Sequence, residues 1–466
     1  MTKVDVLIIG GGPGGTPAAM ALAGAGRRVL LVEKGAGLGG VCLFEGCIPS
    51  KILHESARRL QAIGRAEEFG LHIPAGEIGV DWSAIMKRKA AILRGRADAA
   101  LQSARRIPTL SVQFGSVALL GPRRARVAPH DGTSEDVEFG NAIIATGSVP
   151  NLLPVPGVEL PQVLTSEKVL EIDRLPKRLV VIGAGPIGVE MAQIFAAFGS
   201  RVTLLEAGPR ILAPVDEEIA VALQDHIRRQ GIVLELGAQV AAIAGDGDGV
   251  SVQYRDAAGA RREAQAESVI EAAGRSPNVD GLGLEHTAVR YDHHGVKVDG
   301  KLETDEPGIY AVGDVIGQPM FAHWATAQGL ALAGHLLGRP TRFPTPASNS
   351  AVIFSTPEVG IAGLTESEAR AAGHAVGVAR YDYRGDARAQ VSGHAEGMLK
   401  LVYDQASRAV LGVHVLADGA ASLIGEGALA VGSGIPVEAL VAAIHPHPTL
   451  SESLGVAARQ VLASGR

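Results

Sequence analysis

The chain has 466 residues, of which 47% are hydrophobic and 20% charged, with 60 glycines and a formal net charge of −6. It is too long for one core, predicts two to four globular domains, and is too apolar to be disordered. The absence of a long basic run argues against nucleic acid as a partner. The absence of an apolar run of spanning length argues against a membrane.

Residues 4–9 read as a buried parallel strand. The strand enters directly, so no signal peptide is expected, and the expected compartment is cytoplasmic and reducing. Gly10, Gly12 and Gly15 follow, then a helical run at 16–25 and a strand at 28–32 that ends at Glu33. This is G-x-G-x-x-G in its required strand–turn–helix–strand context, and it predicts a dinucleotide site. Gly10 makes the turn, Gly12 lets backbone approach a pyrophosphate, and Gly15 lets helix and strand pack. The helix N-terminus meets the phosphate charge, and Glu33 is placed to accept hydrogen bonds from a ribose.

Residues 39–51 begin six positions after Glu33, at the ligand edge of that sheet, and hold the only two cysteines, Cys42 and Cys47. On an ideal helix, residues five apart have Cα atoms about 8.7 Å apart. A disulfide needs about 4.4–6.8 Å. A bond between them therefore requires a distorted helix; Gly46 gives the backbone that freedom and Pro49 limits the turns available. So short a loop adds little stability, which favours a bond that is made and broken. In a reducing compartment such pairs are usually catalytic or redox-sensing. Two structural cysteines remain the alternative. A zinc site needs about four ligands, so no metal is expected.

Residues 52–106 read as mostly helical. The basic run at 86–106 reads as a solvated helix face or a docking surface for an acidic partner. Short strands are expected at 112–130, a buried strand at 142–148, and a proline-rich linker at 151–161. A second fingerprint follows: a strand at 179–182, Gly183, Gly185 and Gly188, a helix at 189–198, and a strand at 201–205 ending at Glu206. Two dinucleotide sites imply electron transfer between two cofactors. Glu206 suits a free ribose 2′-hydroxyl and repels a 2′-phosphate, which favours NAD over NADP although Arg201 and Arg210 lie nearby. Residues 272–278 close this unit. A strand at 309–315 ends on Gly313-Asp314, where a carboxylate can hold a hydroxyl or simply form a turn. A helix is expected at 325–337. From 345 the texture is α+β with no glycine fingerprint, and it ends in His445-Pro446-His447-Pro448-Thr449-Leu450-Ser451-Glu452. That stretch is a surface turn or a base with an orienting carboxylate.

Together these motifs, with Cys-Ile-Pro-Ser-Lys at 47–51, Ala-Thr-Gly-Ser at 145–148, Gly-Arg-Ser-Pro-Asn at 274–278 and Pro357-Glu358, resemble the flavoprotein disulfide reductases along essentially the whole chain. Within that family the resemblance is strongest to members that oxidise protein-bound dihydrolipoamide with NAD⁺. It implies an α/β fold of two Rossmann-like dinucleotide-binding domains, for FAD and NAD, plus a C-terminal α+β dimerisation domain. The implied boundaries are 1–150 and 276–344 for the FAD-binding and central parts, 151–275 for the NAD-binding domain, and 345–466 for dimerisation. FAD would take the first fingerprint, with Glu33, Lys51, Thr146 and Asp314 at FAD-contacting positions. NAD would take the second, with Glu190 near the nicotinamide. Gly147, Gly274, Arg275, Gly313 and Ala322 complete the implied cofactor-binding set.

By the same resemblance, Cys42 exchanges with substrate sulfur and Cys47 faces the flavin. His447 is the catalytic base and Glu452 its partner, delivered across a homodimer whose active site is shared between subunits. A lipoyl-carrying protein is the implied partner. The chain departs from the family at Phe44-Glu45, Trp324 and Pro446. Mercuric reductase and glutathione-type reductases are the alternatives; the first normally brings extra cysteines near its C-terminus, and the second prefers NADPH, which Glu206 opposes.

Overall fold

The computed structural model describes residues 2–73, 78–247 and 249–464. Its first sheet is parallel in the order Leu110–Gly121, Val29–Glu33, Thr2–Ile9, Glu135–Ile144, Ile309–Ala311. The strand Arg124–Pro129 runs antiparallel and joins Leu110–Gly121 to Glu135–Ile144. The central strand pairs on both sides, Ile8 with Leu31 and with Ile143. Burial on both faces explains its near-continuous apolar run. Side chains alternate across it: Val6 and Ile8 pack on helix α1 (Gly15–Gly24), while Leu7 and Ile9 face the layer containing Val117, Val127 and Leu282.

Among the described residues, three α-helices and a short 3-10 helix (Ala66–Phe69) separate the second and third strands of the chain. The α-helices are α2 (Gly40–Phe44), α3 (Cys47–Gly64) and α4 (Trp82–Arg105). Asp81 caps α4 by accepting from the Ala84 N–H. The basic run on α4 is not wholly solvated: Lys89 is 2% exposed, donates to the Leu170 carbonyl and pairs with Glu171 at 2.6 Å. The partner lies 82 residues away, which local charge patterning cannot reveal.

The second sheet, also parallel, runs Val163–Thr165, Ser268–Glu271, Arg178–Ile182, Arg201–Glu206, Val233–Leu236. Helices α5 (Pro186–Ala197) and α6 (Glu217–Arg229) belong to this unit. An antiparallel sheet, Gln239–Asp246, Gly249–Arg255 and Arg261–Ala266, contributes to its other core. Residues 151–161, expected as a linker, are packed against this core. Leu153, Val158 and Leu160 lie on it, and the Ile243 N–H donates to the Pro156 carbonyl. Proline and glycine there mark a turn that hugs the sheet.

The chain then returns to the first unit through Ile309–Ala311 and α7 (Ala322–Leu336), which packs on α1. The last sheet is antiparallel, in the order Ser350–Ile353, Glu358–Gly363, Val410–Ala417, Met398–Asp404, Val376–Asp382. Its helices are α8 (Glu366–Ala371), α9 (Ala387–Val391), α10 (Ala420–Gly432), α11 (Val437–Ala442) and α12 (Glu452–Ser464). A Cβ at Gly427 would lie 3.0 Å from Val413, which is how α10 comes close to the sheet. Buried Lys400 ties this unit to the start of α6, lying 2.9 Å from Asp216, 2.6 Å from Glu218 and 2.9 Å from Glu366. Among the described residues no helix is long and apolar enough to cross a membrane.

Candidate active site

The two fingerprints fold into the same local geometry. Gly10 has φ +107°, and a Cβ on Gly15 would sit 1.9 Å from the Gly10 carbonyl oxygen. In the second copy Gly183 has φ +98°, and a Cβ on Gly188 would sit 1.8 Å from the Gly183 carbonyl oxygen. Both positions therefore demand glycine. By contrast a Cβ on Gly12 would meet only the Gly40 Cα, at 3.9 Å, and one on Gly185 would meet nothing within 4 Å. These two glycines face open space at the N-termini of α1 and α5, where side chains would fill a cradle for phosphate. The residues present fit dinucleotides at both places.

The acid at the end of each second strand holds its own loop. Glu33 accepts from the Gly11 N–H at 2.6 Å and the Gly35 N–H at 2.5 Å. Glu206 accepts from the Ala184 N–H at 2.7 Å and the Gly208 N–H at 2.7 Å. Each carboxylate oxygen keeps a lone pair, so both can still accept from a ribose. Near Glu206, Arg210 is held against its own loop. Its guanidinium donates to the carbonyls of Leu212, Ala213 and Val215 at 3.0, 2.6 and 3.1 Å.

The cysteines occupy two helices. α2 stops at Phe44, Gly46 takes φ −148° and ψ −102°, and α3 starts at Cys47. The two cysteines thus lie on separate helices and not on one continuous helix. Both cysteines are thiols in this structure, and they hydrogen-bond to each other. That bond, reinforced by the Lys51 ammonium against the cost of burial, holds the Cys47 thiol down to about 7. The same bond and burial push Cys42 up, while Lys51 and Arg96 oppose the rise. Of the two thiols, Cys47 is the one shifted down.

Lys51 sits one turn along α3 from Cys47. Its Nζ lies 2.8 Å from Glu190 Oε2 and 4.5 Å from the centre of the Phe354 ring. Glu190 Oε1 accepts from the Phe354 N–H at 2.9 Å. The pair thus joins the cysteine helix, α5 of the second cradle and the start of the last unit. His54 is buried two turns from Cys47, edge-on to Phe354, and its Nε2 has no hydrogen-bond partner among the described residues.

A second network crosses between the units. Arg275 donates to Ser148 Oγ and the Ser148 carbonyl, each at 2.8 Å, and pairs with Glu167 at 2.9 Å. Ser148 Oγ donates to Asp314 at 2.7 Å, and Thr146 donates to the Asn278 carbonyl at 2.7 Å. Gly147, Gly274 and Gly313 all have positive φ in these turns. The Gly313 N–H donates to Gln328 of α7, the helix that Ala322 opens. Arg275 therefore braces the wall of the first cradle; its reach there was not visible in the second-unit motif that contains it.

His447 lies apart from these groups, in the last unit. Its Nδ1 is 3.1 Å from Glu452 Oε1, and its side chain is 72% exposed. Glu452 also accepts from the Thr449 N–H at 2.9 Å, and that bond, with His447, keeps its carboxyl below the usual range. His445 pairs separately with Glu426 at 2.8 Å. Sequence motifs alone did not single out Phe354, Glu167 or Arg96. Their roles come from contacts made over long sequence distances, with no local spacing to mark them.

Residues 4–329 match the model of the pyridine nucleotide-disulphide oxidoreductases. Residues 349–458 match the dimerisation domain of that family. A dihydrolipoyl dehydrogenase of Chlorobaculum tepidum is 35% identical, across 99% of this chain and 98% of that protein. One from Thermus scotoductus is 36% identical, across 98% and 97%. Among solved structures, LpdA from Mycobacterium tuberculosis superposes with TM-score 0.89 at 26% identity, covering 99% of this chain and all of that one. The HOCl-induced flavoprotein disulfide reductase RclA from Escherichia coli superposes with TM-score 0.87 at 28% identity, covering 98% and all.

Proposed function

The chain belongs to the pyridine nucleotide-disulphide oxidoreductase family, and from that premise we propose that it is a dihydrolipoyl dehydrogenase, using FAD and NAD to oxidise dihydrolipoamide to lipoamide. The observation that carries this reading is the cysteine pair on a broken helix, with a cation one turn away that also reaches the second dinucleotide cradle. The full-length relatives named dihydrolipoyl dehydrogenase support the substrate. The enzyme is a homodimer. Its carrier is a lipoyl-bearing protein, and its compartment is cytoplasmic, where a dithiol cycles readily.

When bound, FAD and NAD supply two-electron transfer from a dithiol to a nicotinamide. The first cradle, with Glu33, Thr146 and Asp314, holds FAD. The second, with Glu206, holds NAD. The division into 1–150, 151–275, 276–344 and 345–466 is the functional division we assign. In the oxidised enzyme Cys42 and Cys47 form a disulfide. His447 of the partner subunit removes a proton from a substrate thiol, and Glu452 fixes the imidazole tautomer and stabilises the imidazolium. The substrate thiolate attacks Cys42 Sγ, forming a mixed disulfide and releasing Cys47 as thiolate. Lys51 stabilises that thiolate. The second substrate thiol then attacks its own chain's sulfur in the mixed disulfide, closing the lipoamide ring; its proton passes to Cys42 as that sulfur leaves, while the first proton stays on His447.

The test is a substrate panel: NAD⁺ and NADP⁺ each with dihydrolipoamide, and NADH and NADPH each with glutathione disulfide and Hg²⁺. Rapid turnover of dihydrolipoamide with NAD⁺ alone is expected. Faster turnover of glutathione disulfide or Hg²⁺ would overturn the reading.

A further inference from the structure

The last unit meets the cysteine helix through one segment, residues 353–356. Ile353 is 3% exposed and packs in the same core as Leu53 of α3 and Met191 of α5. Two side chains one turn apart on α5 hold the backbone that follows. Glu190 Oε1 accepts from the Phe354 N–H at 2.9 Å. Gln193 Oε1 accepts from the Thr356 N–H at 3.0 Å, and its amide donates to the Thr356 carbonyl at 2.8 Å. The backbone around Phe354 is thereby fixed to α5. Its ring meets two side chains of α3 that also lie one turn apart. The Lys51 ammonium is 4.5 Å from the ring centre, and the His54 imidazole stands edge-on at 6.5 Å. Burial holds the His54 imidazole below its ordinary value, so it adds no second cation beside Lys51 near pH 7.

Lysine is a point charge on a flexible four-carbon stem. Glu190 attracts that charge but also opposes its effect: at Cys47, Lys51 lowers the thiol and Glu190 raises it. An aromatic face attracts a cation through its quadrupole and carries no net charge. It also keeps water from one side of the ammonium, which leaves the charge less screened. We propose that Phe354 is a positioning residue for the dithiol chemistry: its ring, fixed to α5 and flanked by His54, holds the Lys51 ammonium where it acts on Cys47. The proposal rests on the reading of Cys42 and Cys47 as the redox pair.

The test uses reduced, flavin-loaded enzyme: wild type, Phe354→Leu, Phe354→Met, Phe354→Tyr, Lys51→Met, and Phe354→Leu combined with Lys51→Met. Leucine and methionine keep the backbone bond to Glu190 and remove the ring; tyrosine keeps both. Two pH titrations are read, with FAD content measured alongside. One is alkylation of Cys47 by iodoacetamide, located by peptide mapping. The other is the long-wavelength thiolate–flavin band. Both midpoints rise by about half a unit to one unit in Phe354→Leu and Phe354→Met. They stay close to wild type in Phe354→Tyr and rise furthest in Lys51→Met. Phe354→Leu adds nothing to Lys51→Met, because the ring acts through the ammonium.

Unchanged midpoints in Phe354→Leu and Phe354→Met overturn the proposal. So does a full further rise when Phe354→Leu is added to Lys51→Met, since the ring would then act on Cys47 without the lysine. A rise in Phe354→Tyr equal to that in Phe354→Leu overturns it too, because shape and not the aromatic face would then matter. If one ringless variant fails to load FAD, the other carries the test; loss of FAD from both overturns the proposal, because the ring would then serve packing alone. A wild type without the band, whose alkylation midpoints still shift in the expected order, supports the positioning role and overturns the redox reading of the pair instead.

Discussion

Lys51 Nζ lies 2.8 Å from Glu190 Oε2, with the lysine on the cysteine helix and the glutamate on the helix of the second cradle. One ion pair thus connects the cysteine helix with the helix of the second glycine cradle. Because Lys51 is also one helical turn from Cys47, its charge acts on both.

The first consequence concerns pH. The Cys47 thiol is brought from its ordinary 9.0 to about 7 by the Cys42 hydrogen bond and the Lys51 charge. A group depressed in this way contributes stability to the reduced enzyme that is full above 9.0 and lost as pH falls through 7. Alkylation of reduced enzyme at Cys47 should therefore titrate near pH 7. Lys51→Met should move that midpoint upward. A midpoint that stays in place would remove Lys51 from the account of Cys47.

The paired glycines give the second prediction. Adding one methyl at Gly15 or at Gly188 forces contact with a carbonyl oxygen at 1.9 or 1.8 Å. Gly15→Ala should purify with little or no FAD. Gly188→Ala should keep FAD but bind NAD⁺ poorly, read as a raised KM. Flavin content by absorbance and NAD⁺ titration separate the two cradles; the opposite pattern would exchange their cofactors.

The third prediction is cofactor choice. Glu206 accepts two backbone N–H bonds at the rim of its cradle, and the nearby Arg210 is committed to its own loop carbonyls. A 2′-phosphate would meet the Glu206 carboxylate, and Arg210 would have to leave its loop carbonyls to reach it. NAD⁺ should exceed NADP⁺ in kcat/KM by a large factor, and Glu206→Ala should narrow the gap, mainly by weakening NAD⁺. Equal use of the two by wild type would contradict this.

Both cradles were legible in the sequence because glycine spacing, strand and acid all lie within one local unit. His447 and Glu452 were also legible, because five residues separate them and the structure brings them to 3.1 Å. Arg275 was read with the second unit, but its hydrogen bonds go to Ser148 of the first. Lys89 was read as part of a solvated helix face or a docking surface, but it is buried against Leu170 and Glu171. In both cases a long cation finds its partner through the packing of units, which leaves no periodic trace. Phe354 carries no motif of its own; only the fold places its ring over Lys51.

The fourth prediction concerns His447, the proposed base. His447 is turned toward solvent in its own chain and held by Glu452. His447→Gln should lower dihydrolipoamide oxidation by about 10²–10⁴-fold, while reduction of the flavin by NADH stays nearly intact. His445→Gln should cost less in both assays, since His445 is tied to Glu426. Mixed Cys42→Ser and His447→Gln subunits should regain activity, because one site of the heterodimer carries neither lesion. No recovery despite demonstrated subunit exchange would place base and cysteines in one chain.

The most direct test of the central claim is anaerobic reduction of the flavin-loaded enzyme by one equivalent of dihydrolipoamide, followed by NAD⁺, in wild type and Cys47→Ser. Wild type should develop a long-wavelength thiolate–flavin band and then yield about one equivalent of NADH, the two-electron stoichiometry of a dithiol. Cys47→Ser should retain FAD yet show neither the band nor the NADH. NADH formation by Cys47→Ser at the wild-type rate would contradict a path through the cysteine pair.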